Sequence, residues 1–185
     1  MAPPADRLIR YLLRTTHPGA IFRKVYYGLG AAAAGGLFWE NVLMIQLSEG
    51  PSMYPTFSPR GDYLLISKLH KHGRGIEVGD VVRFWHPSFV GVYGAKRVLG
   101  MPGDFVCRDQ ALGTEAGRTG EMIRVPEGHV YVGGDNLPWS RDSRNYGPLP
   151  MGLINGKVVA RVWPPSRMQW VENPLKPVED VKGLE

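Results

Sequence analysis

A serine and a lysine in two separate segments could together form a nucleophile and its base. Ser52 lies between Pro51 and Pro55, and because prolines restrict the backbone, it is expected on a rigid, exposed loop. Lys96 lies beside Arg97 in a predicted strand. Adjacent strand side chains point to opposite faces, so one of these two cations is predicted to face inward while the other stays in water.

A lysine held in apolar surroundings is suited to act as a base. Desolvation disfavours the charged ammonium and so lowers the lysine pKa, and a lysine with a pKa of ~7–8 can serve as general base. A serine with a lysine base is one variant of the serine protease triad. Neither residue suffices alone, since Ser-Pro loops are common and Lys96 could be an ordinary surface lysine. The pair is therefore a hypothesis that needs companion motifs.

The predicted scaffold for this pair is an all-β domain with antiparallel strands. Short runs of alternating polarity predict strands, and turn signals separate them at 59–62, 101–104 and 126–129. No helical period intervenes, which favours a compact β fold. The polar segment 110–121 is predicted to be a mobile excursion. The six predicted strands cover 62–68, 80–85, 92–99, 104–108, 128–132 and 157–163.

The N-terminal leader, 1–24, is basic and amphipathic. Five basic residues accompany a single acid, Asp6, and apolar residues interleave with the arginines at roughly helical spacing. Such a segment is typical of organellar targeting sequences, and it could equally be the positive flank of a membrane helix. The two interpretations are compatible.

Residues 25–47 are predicted to form a transmembrane anchor. At 1.5 Å per residue, a helix of this length spans about 34 Å, enough for a hydrocarbon core of ~30 Å. Glu40 and Asn41 interrupt the apolar run, and since charge in lipid is costly, they are expected near an interface or against a partner. The alternative is a buried helix of a soluble domain.

Composition argues against several other classes of protein. The formal net charge is +5, but no basic run is interleaved with aromatic residues, so a nucleic-acid surface is not favoured. The single cysteine, Cys107, cannot form a disulfide framework. His70 and His72 are interpreted as loop residues, because a metal site needs more ligands than this pair supplies. The sequence implies no metal and no cofactor.

Three motifs in a fixed order carry a family resemblance. They are GPSMYPT at 50–56, GAKRVLGMPGD at 94–104, and GGDN at 133–136 continuing to SRDSR at 140–144. From about residue 49 to residue 163 the chain resembles the type I signal peptidases, the Ser-Lys peptidases. This resemblance implies a mainly β, signal-peptidase-like antiparallel domain on one N-terminal transmembrane helix.

Within that family, the chain is most similar to subunit 1 of the mitochondrial inner membrane peptidase. The stretches 73–82 and 142–159 carry this likeness, and the basic leader agrees with the compartment. Arg144 is present here, whereas the other catalytic subunit usually lacks it. The sequence Trp-Pro-Pro at 163–165 is a weaker indication and also suits the second subunit.

The resemblance implies a role for each residue that matches a family motif. Ser52 would attack the scissile carbonyl, and Lys96 would take its proton and later deliver it to the leaving amine. Ser140 would hydrogen-bond to the lysine and orient it. Asp142 and Arg144 would form a structural ion pair behind the site.

Two further features of the resemblance concern the loops around the serine. Asp135 would help to hold the same loop as the ion pair. The backbone N–H of Ser52 would supply one oxyanion donor. Some family members carry a serine two positions before the nucleophile as a second donor, but this chain has Gly50. The origin of the second donor therefore stays open.

The function implied is removal of sorting presequences from proteins delivered to the mitochondrial intermembrane space. The peptidase domain would cover 48–165 and a loose tail 166–185. The positive leader would place the N-terminus in the matrix and the catalytic domain in the intermembrane space, at the inner membrane. Implied partners are presequence-bearing substrates bound as an added strand, the lipid bilayer and a second homologous peptidase subunit. Gly28, Ala32 and Gly36 form a small-residue pattern on which another helix could pack.

Three other functions fit parts of the sequence. A bacterial-type signal peptidase would use the basic leader only to set topology. A self-cleaving Ser-Lys repressor protease is disfavoured by the predicted anchor and by the lack of a DNA-binding domain. A non-catalytic partner subunit would not need to keep Ser52, Lys96 and Ser140 together.

Overall fold

The computed structural model of the chain describes residues 18–108 and 121–175. It divides into two units, Met1–Asn41 and Val42–Glu185. The leader up to residue 17 and most of the predicted excursion at 110–121 lie outside the described residues.

The described part of the first unit is helical: helix α1 covers Pro18–Val42 and so ends one residue beyond the unit. Its apolar side chains are largely exposed, Phe22 and Tyr26 among them. None of the helices in the described ranges combines the length and the apolar character that crossing a membrane requires.

The helix does not coincide with the predicted anchor, 25–47. α1 begins earlier and ends at Val42, and the next residues form strand β1, Leu43–Ser48. The prediction of a helix through residue 47 was therefore wrong at its C-terminal end. Side chains alternate in LMIQLS, and β1 pairs along its whole length with β2, so the sheet rather than the helix satisfies its backbone.

The second unit is built on one antiparallel sheet in the order β1-β2-β9-β3-β4-β7-β8, with β10 on β9 and a separate β5-β6 pair. The mainly β, antiparallel prediction is confirmed. The further strands are β2 (Asp62–Ser67), β3 (Val81–Trp85), β4 (Tyr93–Gly100), β5 (Phe105–Cys107), β6 (Met122–Arg124), β7 (His129–Gly133), β8 (Leu149–Pro150), β9 (Ile154–Trp163) and β10 (Gln169–Trp170). One short helix, α2 (Ser143–Tyr146), follows β7.

All six predicted strands are present, with ends shifted by a few residues. The tail differs from its prediction as a loose extension, because β10 pairs with β9. Asn173 also donates to the Val78 carbonyl at 2.6 Å. The part of the tail from 166 to 175 is thus attached to the domain.

Apolar clusters cover both faces of the sheet. Val82 belongs to a cluster with Val98, Val132 and Ile154. Its neighbour Val81 points the other way, into a second cluster that contains Met53, Phe57, Leu64, Ile66 and Val158. Because neither face of the central strands is open to water, polar side chains on either face are buried as well.

Candidate active site

The loop of Ser52 is held in one conformation by its backbone. Gly50 has φ 106°, a region that side-chain-bearing residues rarely adopt, and its N–H donates to the Pro59 carbonyl at 2.9 Å. A short 3₁₀ turn, Pro51–Met53, follows and places Met53 in the core. The backbone conformation therefore favours glycine at position 50.

Strand β4 brings Lys96 to this serine. The Lys96 Nζ and Ser52 Oγ atoms lie 2.5 Å apart. Only 6% of Lys96 is exposed, and burial lowers its pKa to about 8. The charges of Asp142 and Asp135 act in the opposite direction, whereas that of Arg144 lowers the pKa further. The structure thus brings together the two residues that the sequence analysis paired.

Arg97, the next residue on β4, is also buried, with 5% of it exposed. The prediction that one of these two cations stays in water was wrong. Arg97 forms two hydrogen bonds with the Asp135 carboxylate, at 2.9 and 2.7 Å, and donates to the Gly79 carbonyl at 2.7 Å. Thr56, from the serine loop, donates to the same carboxylate at 2.5 Å. The alternation of the strand is as predicted, but the second face is covered by these partners.

Asp142 is the centre of a second buried cluster. It accepts hydrogen bonds from the Arg144 guanidinium at 2.8 and 2.9 Å, from Ser140 Oγ at 2.6 Å and from the Gly134 N–H at 2.9 Å. Burial alone would raise the pKa of Asp142, but these hydrogen bonds together hold it below its usual value. Asp142 also caps α2, where Asn145 completes a capping box.

Ser140 is placed beside this carboxylate. Among the hydrogen bonds of the described residues its hydroxyl donates to Asp142 and none joins it to Lys96. Its predicted contact with the lysine stays a prediction. Arg144 closes the same loop by donating to the Leu137 carbonyl at 2.8 Å.

Gly134 and Asn136 join the acidic clusters to the serine loop. A Cβ at Gly134 would come within 2.5 Å of the Ser52 carbonyl oxygen and 2.6 Å of the Ser140 Cβ, so only glycine allows this approach. The Asn136 N–H donates to the Ser52 carbonyl and its side chain to the Pro51 carbonyl, both at 3.0 Å. Sequence reasoning singled out the GGDN motif but assigned no role to Asn136.

A search with protein-family profiles matches residues 22–114 and 110–163 to "Signal peptidase, peptidase S26". The chain belongs to the peptidase S26 family. It is therefore a hydrolase of the signal peptidase type, as the sequence predicted.

Relatives of this S26 peptidase include "Mitochondrial inner membrane protease subunit 1" from Schizosaccharomyces pombe. It is 43% identical over 141 residues, covering 76% of this chain and 85% of that protein. The protein of the same name from Saccharomyces cerevisiae is 46% identical over 121 residues, covering 61% of this chain and 64% of its own. These names confirm the predicted subfamily and the predicted location at the mitochondrial inner membrane. A crystal structure of a signal peptidase I from Enterococcus faecalis V583 is 23% identical, with a TM-score of 0.38, and covers 46% of this chain and 97% of its own.

A cleft of about 450 Å³ in the S26 domain opens at Ser52 and Lys96. It runs between the end of β1 and the start of β4, and apolar side chains of the second cluster, including Leu64, Ile66 and Val158, form part of its wall. Its remaining charged and polar lining includes Gln46, Glu49, Arg83, His86, Tyr93 and Arg141. Sequence reasoning missed these residues, since they lie outside the three motifs.

Burial and the positive charges of Lys96 and Arg141 lower the pKa of His86 in this cleft. Over 18–108 and 121–175, no group of His, Cys, Asp and Glu side chains is arranged to hold a metal ion.

Proposed function

We propose that this S26 peptidase cleaves presequences from proteins delivered to the mitochondrial intermembrane space, with Ser52 as nucleophile and Lys96 as general base. The observation that carries the proposal is the 2.5 Å approach of Lys96 Nζ to Ser52 Oγ. With a pKa of about 8, roughly a quarter of Lys96 is neutral at pH 7.5, compared with about one molecule in a thousand for an ordinary lysine.

In the first half of the reaction, neutral Lys96 takes the Ser52 hydroxyl proton as the oxygen attacks the scissile carbonyl carbon. The tetrahedral intermediate collapses when the C–N bond breaks, and Lys96 returns the proton to the leaving amine. The products of this half-reaction are the released amine fragment and an ester of Ser52.

In the second half, a water molecule replaces the serine. Lys96 takes a proton from the water as its oxygen attacks the ester carbonyl, and the proton then returns to Ser52 Oγ as the C–O bond breaks. The presequence leaves with a new carboxylate, and the enzyme returns to its starting state.

The negative oxygen of each intermediate needs hydrogen-bond donors. Ser52 lies in the first turn of the 3₁₀ helix Pro51–Met53, where backbone N–H groups lack helical acceptors. We assign its N–H as one donor. Gly50 has no hydroxyl to contribute, and its N–H is already bonded to Pro59.

The other motif residues position the dyad rather than touch the substrate. Asp142 and Arg144 hold the loop that carries Ser140, and Gly134 connects that loop to the serine. Asp135 ties strand β4 to the serine loop through Arg97 and Thr56. Each of these links limits the freedom of Ser52 relative to Lys96.

The substrate is proposed to bind as an extended peptide in the cleft. Segment 46–50 and the start of β4 form its two sides, and an extended chain between them can pair its backbone with either side. The domain would face the intermembrane space, because the basic leader would be retained in the matrix. Import into isolated mitochondria, followed by protease treatment before and after rupture of the outer membrane, tests this orientation.

A second peptidase subunit is the proposed partner. Gly28, Ala32 and Gly36 recur along α1, and apart from the adjacent helix backbone a Cβ at Gly28 or Gly36 would meet no atom of the described residues within 4 Å. Small residues allow two helices to approach closely. Crosslinking of wild type and of Gly28→Leu in mitochondrial membranes tests the partner, which the leucine variant should capture less efficiently.

The decisive experiment is cleavage by the full chain reconstituted in membranes, with and without the partner subunit. Presequence removal, followed by N-terminal sequencing, should occur at one bond with wild type and disappear in Ser52→Ala and Lys96→Met. Ser166→Ala, an exposed serine outside the cleft, is the matched control and should keep wild-type activity. If wild type is inert under both conditions, or either dyad variant keeps full activity, the catalytic assignment fails.

A further inference from the structure

Arg83 is a buried arginine whose surroundings are neutral. It lies on β3 with 6% of its surface exposed. Its Nε donates to Gln46 Oε1 and its Nη1 to Asn155 Oδ1, the latter at 3.2 Å. The guanidinium carbon lies 3.3 Å from the centre of the Tyr93 ring. These contacts fix the position of the charge without neutralising it.

Among the described residues, the two other buried arginines have acidic partners: Arg97 pairs with Asp135 and Arg161 with Asp62. The half-buried Arg144 pairs with Asp142. In the part of the chain that the structure describes, no carboxylate lies within ion-pair distance of Arg83. A buried charge without a counter-ion is costly, and burial accordingly lowers the pKa of Arg83. The pattern indicates that the counter-ion is supplied from outside the domain.

The side chain is accessible from the cleft. Arg83, Gln46 and Tyr93 all line it together with Ser52 and Lys96. Two of the five guanidinium N–H groups that an arginine carries are bonded within the described residues, and no Arg83 nitrogen is both buried and without a partner. Any Arg83 donor that remains unbonded is therefore at least partly exposed, on a side chain that lines the cleft.

The charges around the cleft favour a negatively charged ligand. Among the described residues, its lining contains the basic side chains of Arg83, Lys96 and Arg141 and one carboxylate, that of Glu49. A concave surface with an excess of one charge raises the local concentration of the opposite charge.

Arg83 is the cross-strand neighbour of Ala95, next to Lys96, but its guanidinium extends along β4 away from the lysine. It stacks on Tyr93, which is three residues before Lys96 on β4. At about 3.3 Å per strand residue, the two are separated by about 10 Å along the strand. An extended peptide beside β4 would cover that distance with about three residues.

We propose that Arg83, held by Gln46, Asn155 and Tyr93, is a specificity subsite for an acidic side chain about three residues from the scissile bond of the substrate. A carboxylate can accept two parallel hydrogen bonds from the guanidinium, whereas an amide of the same shape accepts through one oxygen and carries no charge. The inference rests on the proposed peptidase function, which makes the cleft the substrate-binding site, and it assigns Arg83 a role in substrate selection.

Peptide binding to the full-length Ser52→Ala protein in detergent micelles tests this subsite without requiring turnover. A presequence peptide is made with Asp at each position on either side of the scissile bond in turn, and each is compared with Asn at the same position. One position about three residues from the bond should bind about ten-fold more tightly with Asp, as expected when a charged hydrogen bond replaces a neutral one.

Further variants, with Arg83 substituted, distinguish recognition of the substrate side chain from a purely structural role of Arg83. Arg83→Gln should abolish the Asp preference at that one position, Arg83→Lys should keep part of it, and Arg83→Glu should prefer Lys there. Arg141→Gln, an exposed arginine of the same cleft, is the matched control and should retain the positional preference. Thermal unfolding identifies any variant that does not fold, and Arg83→Lys keeps the test valid in that case.

The inference is overturned if Asp and Asn bind equally at every position, or if the preference persists in folded Arg83→Gln or is equally lost in Arg141→Gln. If the subsite is real but the proposed peptidase function is wrong, the result differs: wild type should bind these peptides with the same preference and leave them uncleaved.

Discussion

Lys96 and Arg97 are neighbours on β4 and are buried to the same degree, but the two faces of the strand treat their charges differently. Arg97 contacts a carboxylate directly, through two hydrogen bonds to Asp135. Lys96 contacts a neutral hydroxyl, that of Ser52, and the nearest acids influence it only through space. Burial with a counter-ion produces a structural ion pair, whereas burial without one produces a lysine with a pKa of about 8.

The difference suggests a division of labour across one strand. The Arg97 side fixes β4 to the serine loop by way of Asp135 and Thr56. The Lys96 side can then hold an amine that exchanges a proton, because its position does not depend on an ion pair that deprotonation would break. Four predictions test this contrast.

Exchanging the cation types should produce the largest effect. Lys96→Arg keeps a positive charge, but arginine does not deprotonate near neutral pH, so presequence cleavage should fall by about a hundred- to ten-thousand-fold. Arg97→Lys keeps a charge beside Asp135 and loses the two-pronged contact, so cleavage should fall by no more than about ten-fold. Initial cleavage rates of the reconstituted variants measure both. Equal losses would mean that both cations serve the same structural purpose.

When stability rather than cleavage is measured, losing the ion-paired cation Arg97 should be the costly change. Arg97→Met leaves Asp135 without its ion-pair partner in a largely buried site and should lower the free energy of unfolding by about 3–5 kcal/mol. Arg108→Met, which removes an exposed pair with Glu121, is the control and should cost less than about 1 kcal/mol. Urea unfolding of the full chain in micelles provides the measurement. A loss below 1 kcal/mol for Arg97→Met would show that the ion pair contributes no net stability.

Lys96→Met should change stability in a way that depends on pH. The folded pKa of about 8 lies below the ordinary lysine pKa of 10.5, so the unfolded chain binds more protons between these two values. This group therefore makes wild type more stable as pH rises from 8 to 10.5, by about 3 kcal/mol. The methionine variant lacks that gain, so its stability relative to wild type should be highest below pH 8 and decline by this amount. Ser166→Ala should follow wild type throughout, and a pH-independent difference for Lys96→Met would contradict a lowered pKa.

The contrast between Lys96 and Arg97 also marks how far sequence reasoning reaches. Alternating polarity is a local property, so it predicted the strands and placed Lys96 and Arg97 on opposite faces. Whether the second face meets water depends on Asp135, 38 residues away, which no local pattern contains. Strand β1 was assigned to the anchor because its apolar residues follow those of α1 with only Glu40 and Asn41 interrupting the run, and pairing with β2 is what distinguishes the two.

The candidate site likewise contains residues that the sequence predicted and a residue that it did not. Motif order identified Ser52, Lys96 and the Asp142–Arg144 pair, which the fold brings together. Arg83 gave no signal, because its partners Gln46 and Asn155 lie 37 and 72 residues away and none belongs to a motif.

The smallest predicted effect concerns Ser140, which lies on the Lys96 side but bonds to Asp142. If it acts through that carboxylate, Ser140→Ala removes one charged hydrogen bond, and stability should fall by about 1.5–3 kcal/mol while cleavage falls by no more than about ten-fold. Ser140→Thr keeps the hydroxyl and should recover most of the stability if the extra methyl is accommodated. If the hydroxyl instead orients Lys96 directly, cleavage should fall by about a hundred-fold with little loss of stability. Cleavage rates and urea unfolding on the same preparations distinguish the two outcomes. The hydrogen bond to Asp142 favours the first. In that case Ser140 belongs to the scaffold of the site, and the lysine is held by burial and by Ser52.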